Sequence, residues 1–381
     1  MDFSLTDEQQ ALRDAVTEFA RNELNDDLVE RERDGAFPRA GWQKCAEFGL
    51  LGLPIAEEYG GAGSDVLTTI LALESLGYGC ADNGLVFSLN AQLWAVESPI
   101  ARFGSEAQKQ RYLPALCRGS SIGAHAMSEP GSGSDAFSLT TTAEEVASGY
   151  VLRGSKTFVT NAPEADLFLV FATTNPGRGF ASLCAFLVER DTRGLSLGSP
   201  LAKMGLRTSP MSELYLDGCE VEREQLLGRP GAGMAIFNAA MRLERSCILA
   251  SCVGAMQRQL ERATAYARER KQFGQPIGSF QSVSQKLVDM KLRLETARLL
   301  LYKVGWLIDK GEPATLEAAL VKLHLSESFL QSSLDALQVH GGYGFMTEYE
   351  LERDVRDAVG SRLYSGTSEM QRNIVARALG L

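Results

Sequence analysis

Histidine is scarce in this sequence, and long apolar runs are absent. Only three of 381 residues are histidine, none at metal-ligand spacing, which argues against a zinc or iron site. No run of about 18 apolar residues occurs, so no membrane-spanning helix is expected. Seven cysteines, an odd number with no C-x-x-C pair, read as reduced and mostly buried thiols of a cytoplasmic protein. Positive charge is also short. Lys and Arg total 38 against 48 Asp and Glu, and the net charge of −10 argues against a nucleic-acid partner, which usually demands a basic face. The first ten residues are acidic and polar, unlike a signal peptide. Neither a G-x-G-x-x-G after a strand nor a G-x-x-x-x-G-K-[ST] occurs, which disfavours nicotinamide and P-loop nucleotide folds.

What is present divides by period. Thr6-Asp7-Glu8-Gln9 is a capping-box pattern, and Leu12, Val16 and Phe19 follow on one helical face. Residues 49–63, with Pro54 and several glycines, read as a loop region, and helical character resumes over 64–116. The middle third reads as strands. Gly149 to Gly154 is hairpin-like, and 165–174, 183–189 and 213–217 fit strands between Gly and Pro. Helices then return. Val283, Leu287, Met290, Leu294, Ala297, Leu301 and Val304 recur at spacings of four and three, as in an antiparallel bundle. Gly311-Glu312-Pro313 reads as a turn. The expected architecture is α+β, mostly α. It comprises a helical domain over 1–118, a β domain over 119–228 and a four-helix bundle over 229–381.

Five motifs fall in this frame. They are Met127-Ser128-Glu129-Pro130-Gly131-Ser132-Gly133-Ser134-Asp135, Lys156-Thr157-Phe158-Val159-Thr160-Asn161, Arg268-Glu269-Arg270-Lys271-Gln272-Phe273-Gly274, Gln338-Val339-His340-Gly341-Gly342-Tyr343-Gly344 and Gly366-Thr367-Ser368-Glu369. In order and separation they resemble the acyl-CoA dehydrogenases, flavoenzymes that use FAD, and the resemblance covers essentially the whole chain. It implies that Ser128 bonds the flavin near its reactive nitrogen, Met127 contributes backbone, Phe158 packs on the ring and Thr160 bonds the cofactor. Arg270 would hold the pyrophosphate with its guanidinium fork. Phe273, Gln281, Gln338, Gly341, Gly342, Thr367 and Glu369 would complete the FAD site. Ser134 would bind cofactor and help shape the substrate site. In the family some of these residues reach the flavin from a neighbouring subunit, which implies a homotetramer built as a dimer of dimers. His125 has no role in this pattern.

The reaction of such an enzyme removes a proton from the α carbon of a thioester, so a general base must lie within reach of it. In many family members the base precedes the Gly-Thr pair. Here that position is Ser365, which cannot act as a base unaided, although its backbone N–H survives to bond the thioester oxygen. Other members carry the base on a helix, directly before an arginine, and Glu244-Arg245 matches that position. Glu244 shares a stripe with Met241, Ile248, Ser251 and Ala255, and beside it run Ile236, Ala240, Leu243, Cys247, Ala250 and Gly254. It is thus the only charge on a broad apolar or small face. A carboxylate there is either paired with an arginine of another helix or set in a cavity. Arg245 would help shape the active site.

Asn161 to Asp166, Phe171 to Thr174, Leu294 to Leu301 and Tyr364 to Thr367 are similar to the branch that acts on carrier-protein thioesters. That branch includes the prolyl-carrier-protein dehydrogenases of pyrrole natural products, within secondary metabolism. The resemblance implies a phosphopantetheine carrier protein as partner, docked by basic residues such as Arg33, Arg178 or Arg207. Electrons would pass to an electron-transfer flavoprotein or to oxygen. Three alternatives stay open at this level: a CoA-thioester dehydrogenase of isovaleryl or long-chain type, an oxidase of hydroxyacyl- or aminoacyl-carrier proteins, and a flavin-bearing binding or repair protein.

Overall fold

The computed structural model describes residues 4–381, as helices, then a β sheet, then helices. The capping box forms as read. The Thr6 hydroxyl accepts from the Gln9 amide at 3.1 Å, and the Gln9 side chain accepts from the Thr6 amide at 3.2 Å. It opens α1 (Asp7–Glu23), which buries Val16 with Leu12 and Phe19 packed beside it. Next come α2 (Leu28–Asp34), α3 (Arg39–Glu47), α4 (Val66–Gly79), α5 (Asn83–Gln92), α6 (Ser98–Phe103) and α7 (Glu106–Cys117). The helical stretch over 64–116 is several helices because it restarts. Asp65, Asp82 and Ser105 each accept from an amide three residues ahead and cap a new one.

The strands are β1 (Gly123–Ala126), β2 (Thr142–Val146), β3 (Gly149–Thr160), β4 (Leu167–Thr173), β5 (Leu183–Glu189), β6 (Leu195–Leu197), β7 (Met211–Glu222) and β8 (Leu226–Leu227). They form one sheet in the order β6-β7-β3-β2-β4-β5-β8, with β1 parallel beside β4. β4 is buried at every residue, which accounts for its unbroken apolar run. β7 alternates buried and accessible positions along most of its length and covers one face only.

The last region holds α8 (Gly233–Cys247), α9 (Ala250–Glu269), a hairpin of β9 (Lys271–Gln272) and β10 (Gln275–Pro276), α10 (Gln281–Asp309), α11 (Thr315–His340), α12 (Leu351–Ser361) and α13 (Ser368–Ala378). The heptad stripe of α10 buries Met290, Leu294, Ala297, Leu301 and Val304. The bundle also recruits α4. A Cβ on Gly77 would lie 2.0 Å from the Ser251 carbonyl oxygen, and one on Gly254 2.0 Å from that of Glu74, so only glycine lets α4 and α9 approach this closely. Buried Glu74 accepts from Arg298 Nε at 2.9 Å and from the Tyr302 hydroxyl at 2.7 Å, tying α4 to α10.

Among the described residues, no helix is long and apolar enough to cross a membrane, and no cluster of His, Cys, Asp and Glu is placed to hold a metal. All seven cysteines are free and buried.

Candidate active site

Glu244 sits three residues before the end of α8. The chain breaks at Ile248 and Leu249, one turn beyond it, before α9 begins. The face read from sequence is the packed one: Ile236, Ala240, Met241, Cys247, Ile248, Ala250, Gly254 and Ala255 are buried. No arginine of another helix pairs with Glu244 among the described residues. Its Oε1 accepts from the Ser365 hydroxyl at 2.6 Å, while Oε2 is buried with no hydrogen-bond partner. Burial raises the carboxyl pKa, opposed by the Ser365 hydrogen bond and by the charges of Arg245 and Lys322. Arg245 lies roughly 100° round the helix from Glu244. Its Nε is buried without a partner, and burial lowers its pKa.

Ser365 is more than a bystander, which corrects the expectation that only its backbone would matter. It takes the left-handed conformation at φ 55°, followed by Gly366 at φ 90°. Such backbone is sparse for a residue with a side chain and is held here by its surroundings. Gln371, fully buried on α13, donates to the Gly366 carbonyl at 2.8 Å, and a Cβ on Gly366 would come within 2.8 Å of that same nitrogen. The turn therefore aims the hydroxyl at Glu244, and the Ser365 amide has no acceptor within the described residues. Nothing in the sequence signals a contact that spans 121 residues.

The sheet supplies a second group. β3 shifts register against β7 between Lys156 and Val159, and within this bulge Phe158 has φ 55°. The strand thereby turns Phe158 outward, leaving this large ring 66% exposed. The Thr157 amide donates to the Ser128 carbonyl at 2.9 Å, drawing the Met127–Asp135 loop against β3. The hydroxyls of Ser128 and Thr160 make no hydrogen bond within the described residues, and Ser134 is exposed on the same loop. An exposed aromatic ring in strained backbone beside two unspent hydroxyls fits an isoalloxazine ring held at Phe158, Ser128 and Thr160.

Beneath this loop lies a pair that the sequence reading missed. Lys156 is wholly buried and donates to Glu129 Oε1 at 2.8 Å and to the Met127 carbonyl at 3.1 Å. Glu129 also accepts from the Thr140 and Thr141 amides at 2.6 and 3.0 Å. Although burial alone would raise the Glu129 pKa, Lys156 and these donors bring it down to about 2. For Lys156 burial prevails over Glu129 and pulls the pKa to about 8. The alternation of the strand gave no signal for it, since Gly154 and Phe158, two residues to either side of Lys156, are both exposed.

Arg270, Phe273, Gln281, Gln338, Gly341 and Gly342 gather elsewhere. Arg270 ends α9 with its guanidinium over the Tyr343 ring at 5.6 Å, beside a groove of about 560 Å³ lined by Tyr266, His340, Gly341 and Gly342. Phe273, at the tip of the β9–β10 hairpin, is 93% exposed. Gln281 begins α10 and Gln338 lies near the end of α11, both exposed. Glu244 precedes one end of the 20-residue α9 and Arg270 caps the other, so about 30 Å separates the two groups. Thr367 caps α13 by accepting from the Met370 amide at 3.3 Å, and Glu369 is exposed in its first turn.

The three arginines expected at an entrance are ordinary surface groups. Arg33 pairs with Asp34 at 2.7 Å, Arg207 donates to the Lys203 carbonyl at 3.3 Å, and Arg178 lies on an exposed turn. His125 packs among Phe171, Phe237 and Met127, and burial pushes its pKa down to about 4.

Three sequence families match in succession: the N-terminal domain of acyl-CoA dehydrogenase over 6–120, its middle domain over 124–219 and its C-terminal domain over 231–380. The chain is 42% identical to the L-prolyl-[peptidyl-carrier protein] dehydrogenase of Pseudomonas fluorescens, with all of both chains covered. Its fold superposes on the prolyl acyl carrier protein oxidase AnaB with a TM-score of 0.98 and 50% identity, over 99% of this chain and 100% of that one. It superposes equally, at TM-score 0.98 and 41% identity over 100% of both chains, on PigA with FAD and proline.

Proposed function

Since this chain belongs to the acyl-CoA dehydrogenase family, whose members use FAD, we propose that it dehydrogenates a prolyl thioester carried by a phosphopantetheine carrier protein, with Glu244 as the base. The observation that carries the reading is the asymmetry of the Glu244 carboxylate, one oxygen held by Ser365 and the other buried and unspent.

Each residue then has a physical role. Phe158, Ser128, Thr160 and the backbone of Met127 would hold the flavin ring, and FAD held there would supply the hydride acceptor for the β carbon. The unpartnered Ser365 amide polarises the thioester oxygen, which acidifies the α proton. Glu244 Oε2 takes that proton. Burial raises the carboxyl toward the working pH, where a base is most effective, while Ser365 keeps it ionised enough to act. The proton leaves the α carbon with its electron pair retained to form the double bond, and the β carbon loses hydride, a two-electron oxidation.

The roughly 30 Å between Glu244 and Arg270 supports an oligomer. Arg270, Phe273, Gln281, Gln338, Gly341 and Gly342 of one copy would hold the FAD whose ring lies at Phe158 of another. Phe273, nearly fully exposed, is what such a neighbour would cover. On α10, Val288, Leu292, Leu299 and Trp306 are exposed at spacings of four and seven, an apolar stripe suited to pairing further copies into a tetramer. Electron-transfer flavoprotein or oxygen would reoxidise the flavin.

The test is anaerobic bleaching of the flavin by a panel of thioesters. Rapid bleaching by prolyl-carrier protein, and slow bleaching by prolyl-CoA and butyryl-CoA, is expected; the reverse order overturns the substrate. Ser365→Ala should lower the bleaching rate at neutral pH and restore it at higher pH. Loss of a donor to the ionised carboxylate, about 1.5–3 kcal/mol, raises the base pKa by about 1–2 units. A pH profile that does not move would assign the hydroxyl no such role.

A further inference from the structure

Behind the active-site turn lies an ammonium that the mechanism has not used. Lys322, on α11, is wholly buried. Its recorded hydrogen bond goes to the carbonyl of Ser361 at 2.6 Å, the last residue of α12 and four residues before Ser365. Its Nζ also lies 5.7 Å from the centre of the Tyr364 ring, which in turn packs on Phe87 at 4.6 Å. Among the described residues, no carboxylate lies within ion-pair distance of it. The nearby acid, Glu327 of the same helix, is occupied by Arg362 at 2.9 Å and by the Ser368 hydroxyl at 2.7 Å. A buried lysine without an ion pair costs several kcal/mol unless its charge serves something close by.

Two things are close by. The α12 C-terminus presents carbonyl oxygens that have run out of helical donors, and an ammonium there is favoured by both hydrogen bonding and the helix dipole. Glu244 is the other: the Lys322 charge favours its ionised form, as do Arg245 on its own helix and the Ser365 hydroxyl. The groups facing Lys322 are Glu327, Cys252 of α9, Glu244 and Arg245 of α8, Arg362 after α12, and Tyr364. Two of these are carboxylates, and Glu327 is already paired, which leaves Glu244 as the acid without a cation of its own. Burial pulls the Lys322 pKa to about 8, so the group is largely protonated at neutral pH.

We propose that Lys322 is a positioning residue for the base: it holds the end of α12 so that the Tyr364–Ser365–Gly366 turn meets Glu244, and it places a positive charge behind that turn. This rests on the reading of Glu244 as the base. A merely structural lysine would leave the pH dependence of proton removal unmoved.

The pH dependence of flavin bleaching by prolyl-carrier protein tests this in the FAD-loaded enzyme. Lys322→Gln keeps a donor for Ser361 but no charge, and Lys322→Met keeps neither. Lys322→Gln should move the midpoint of the rising limb upward by roughly one pH unit, and Lys322→Met further, because it also releases the turn and with it the Ser365 hydrogen bond. Adding Ser365→Ala should move it further in the Gln variant and not in the Met variant, where the turn has already let go of the base. If Lys322→Met loses FAD, the Gln variant carries the test alone. A Gln variant with full FAD and an unmoved midpoint overturns the role of Lys322. Failure of the underlying reading looks different: Glu244→Gln would then bleach normally.

Discussion

Glu244→Gln loses bleaching of its flavin by thioester on the order of 10²–10⁴-fold, the span expected when a positioned general base is removed. The substitution keeps the shape of the side chain and an oxygen for the Ser365 hydroxyl, so the turn that carries Ser365 stays in place. It also removes a carboxylate whose burial is uncompensated at Oε2, so thermal stability should stay level or rise slightly. The flavin absorbance spectrum should be unchanged, because Phe158, Ser128 and Thr160, proposed to hold the ring, lie on β3 and the loop beside it rather than on α8. The measurement is rapid-mixing reduction by prolyl-carrier protein over a range of pH. High pH should not rescue the variant, because no base remains to titrate, whereas it should rescue Ser365→Ala. Bleaching within tenfold of the parent, with full FAD, would sink the assignment.

The second large effect lies under the flavin loop. Lys156→Met should destabilise the protein by about 3–5 kcal/mol, the cost of stranding one charge of a buried pair. Lys156 and Glu129 are both buried, and Glu129 alone ties the start of the loop to Thr140 and Thr141. The loop should then release FAD before the fold is lost. The double variant Lys156→Met with Glu129→Gln should recover part of the loss, since neither partner is then a buried unpaired charge. Thermal unfolding and FAD content across this cycle check the claim. A single variant that costs less than about 1 kcal/mol would show that water reaches Glu129 and relieves it.

Glu244 was legible as the candidate base because helical periodicity places residues three and four apart on one face, and one acid stood alone on it. The cap at Thr6, the α10 stripe and strand β4 were legible for the same kind of reason. Each is a local pattern whose physical cause lies within a few residues. The Lys156–Glu129 pair was harder to see. A lysine in a strand reads as solvent-facing until the sheet shows which side is covered.

The sequence by itself determined the family's chemistry, the cofactor and the side chain proposed to take the proton, because spacing along one helix and five short motifs suffice for these. Only the tertiary structure decided how that side chain is governed. The Ser365 hydroxyl reaches Glu244 from 121 residues away, Lys322 steadies the turn from a third helix, and Arg270 stands at the far end of α9 from the base. Contacts between elements depend on where packing brings them, and no periodicity within any one of them encodes that.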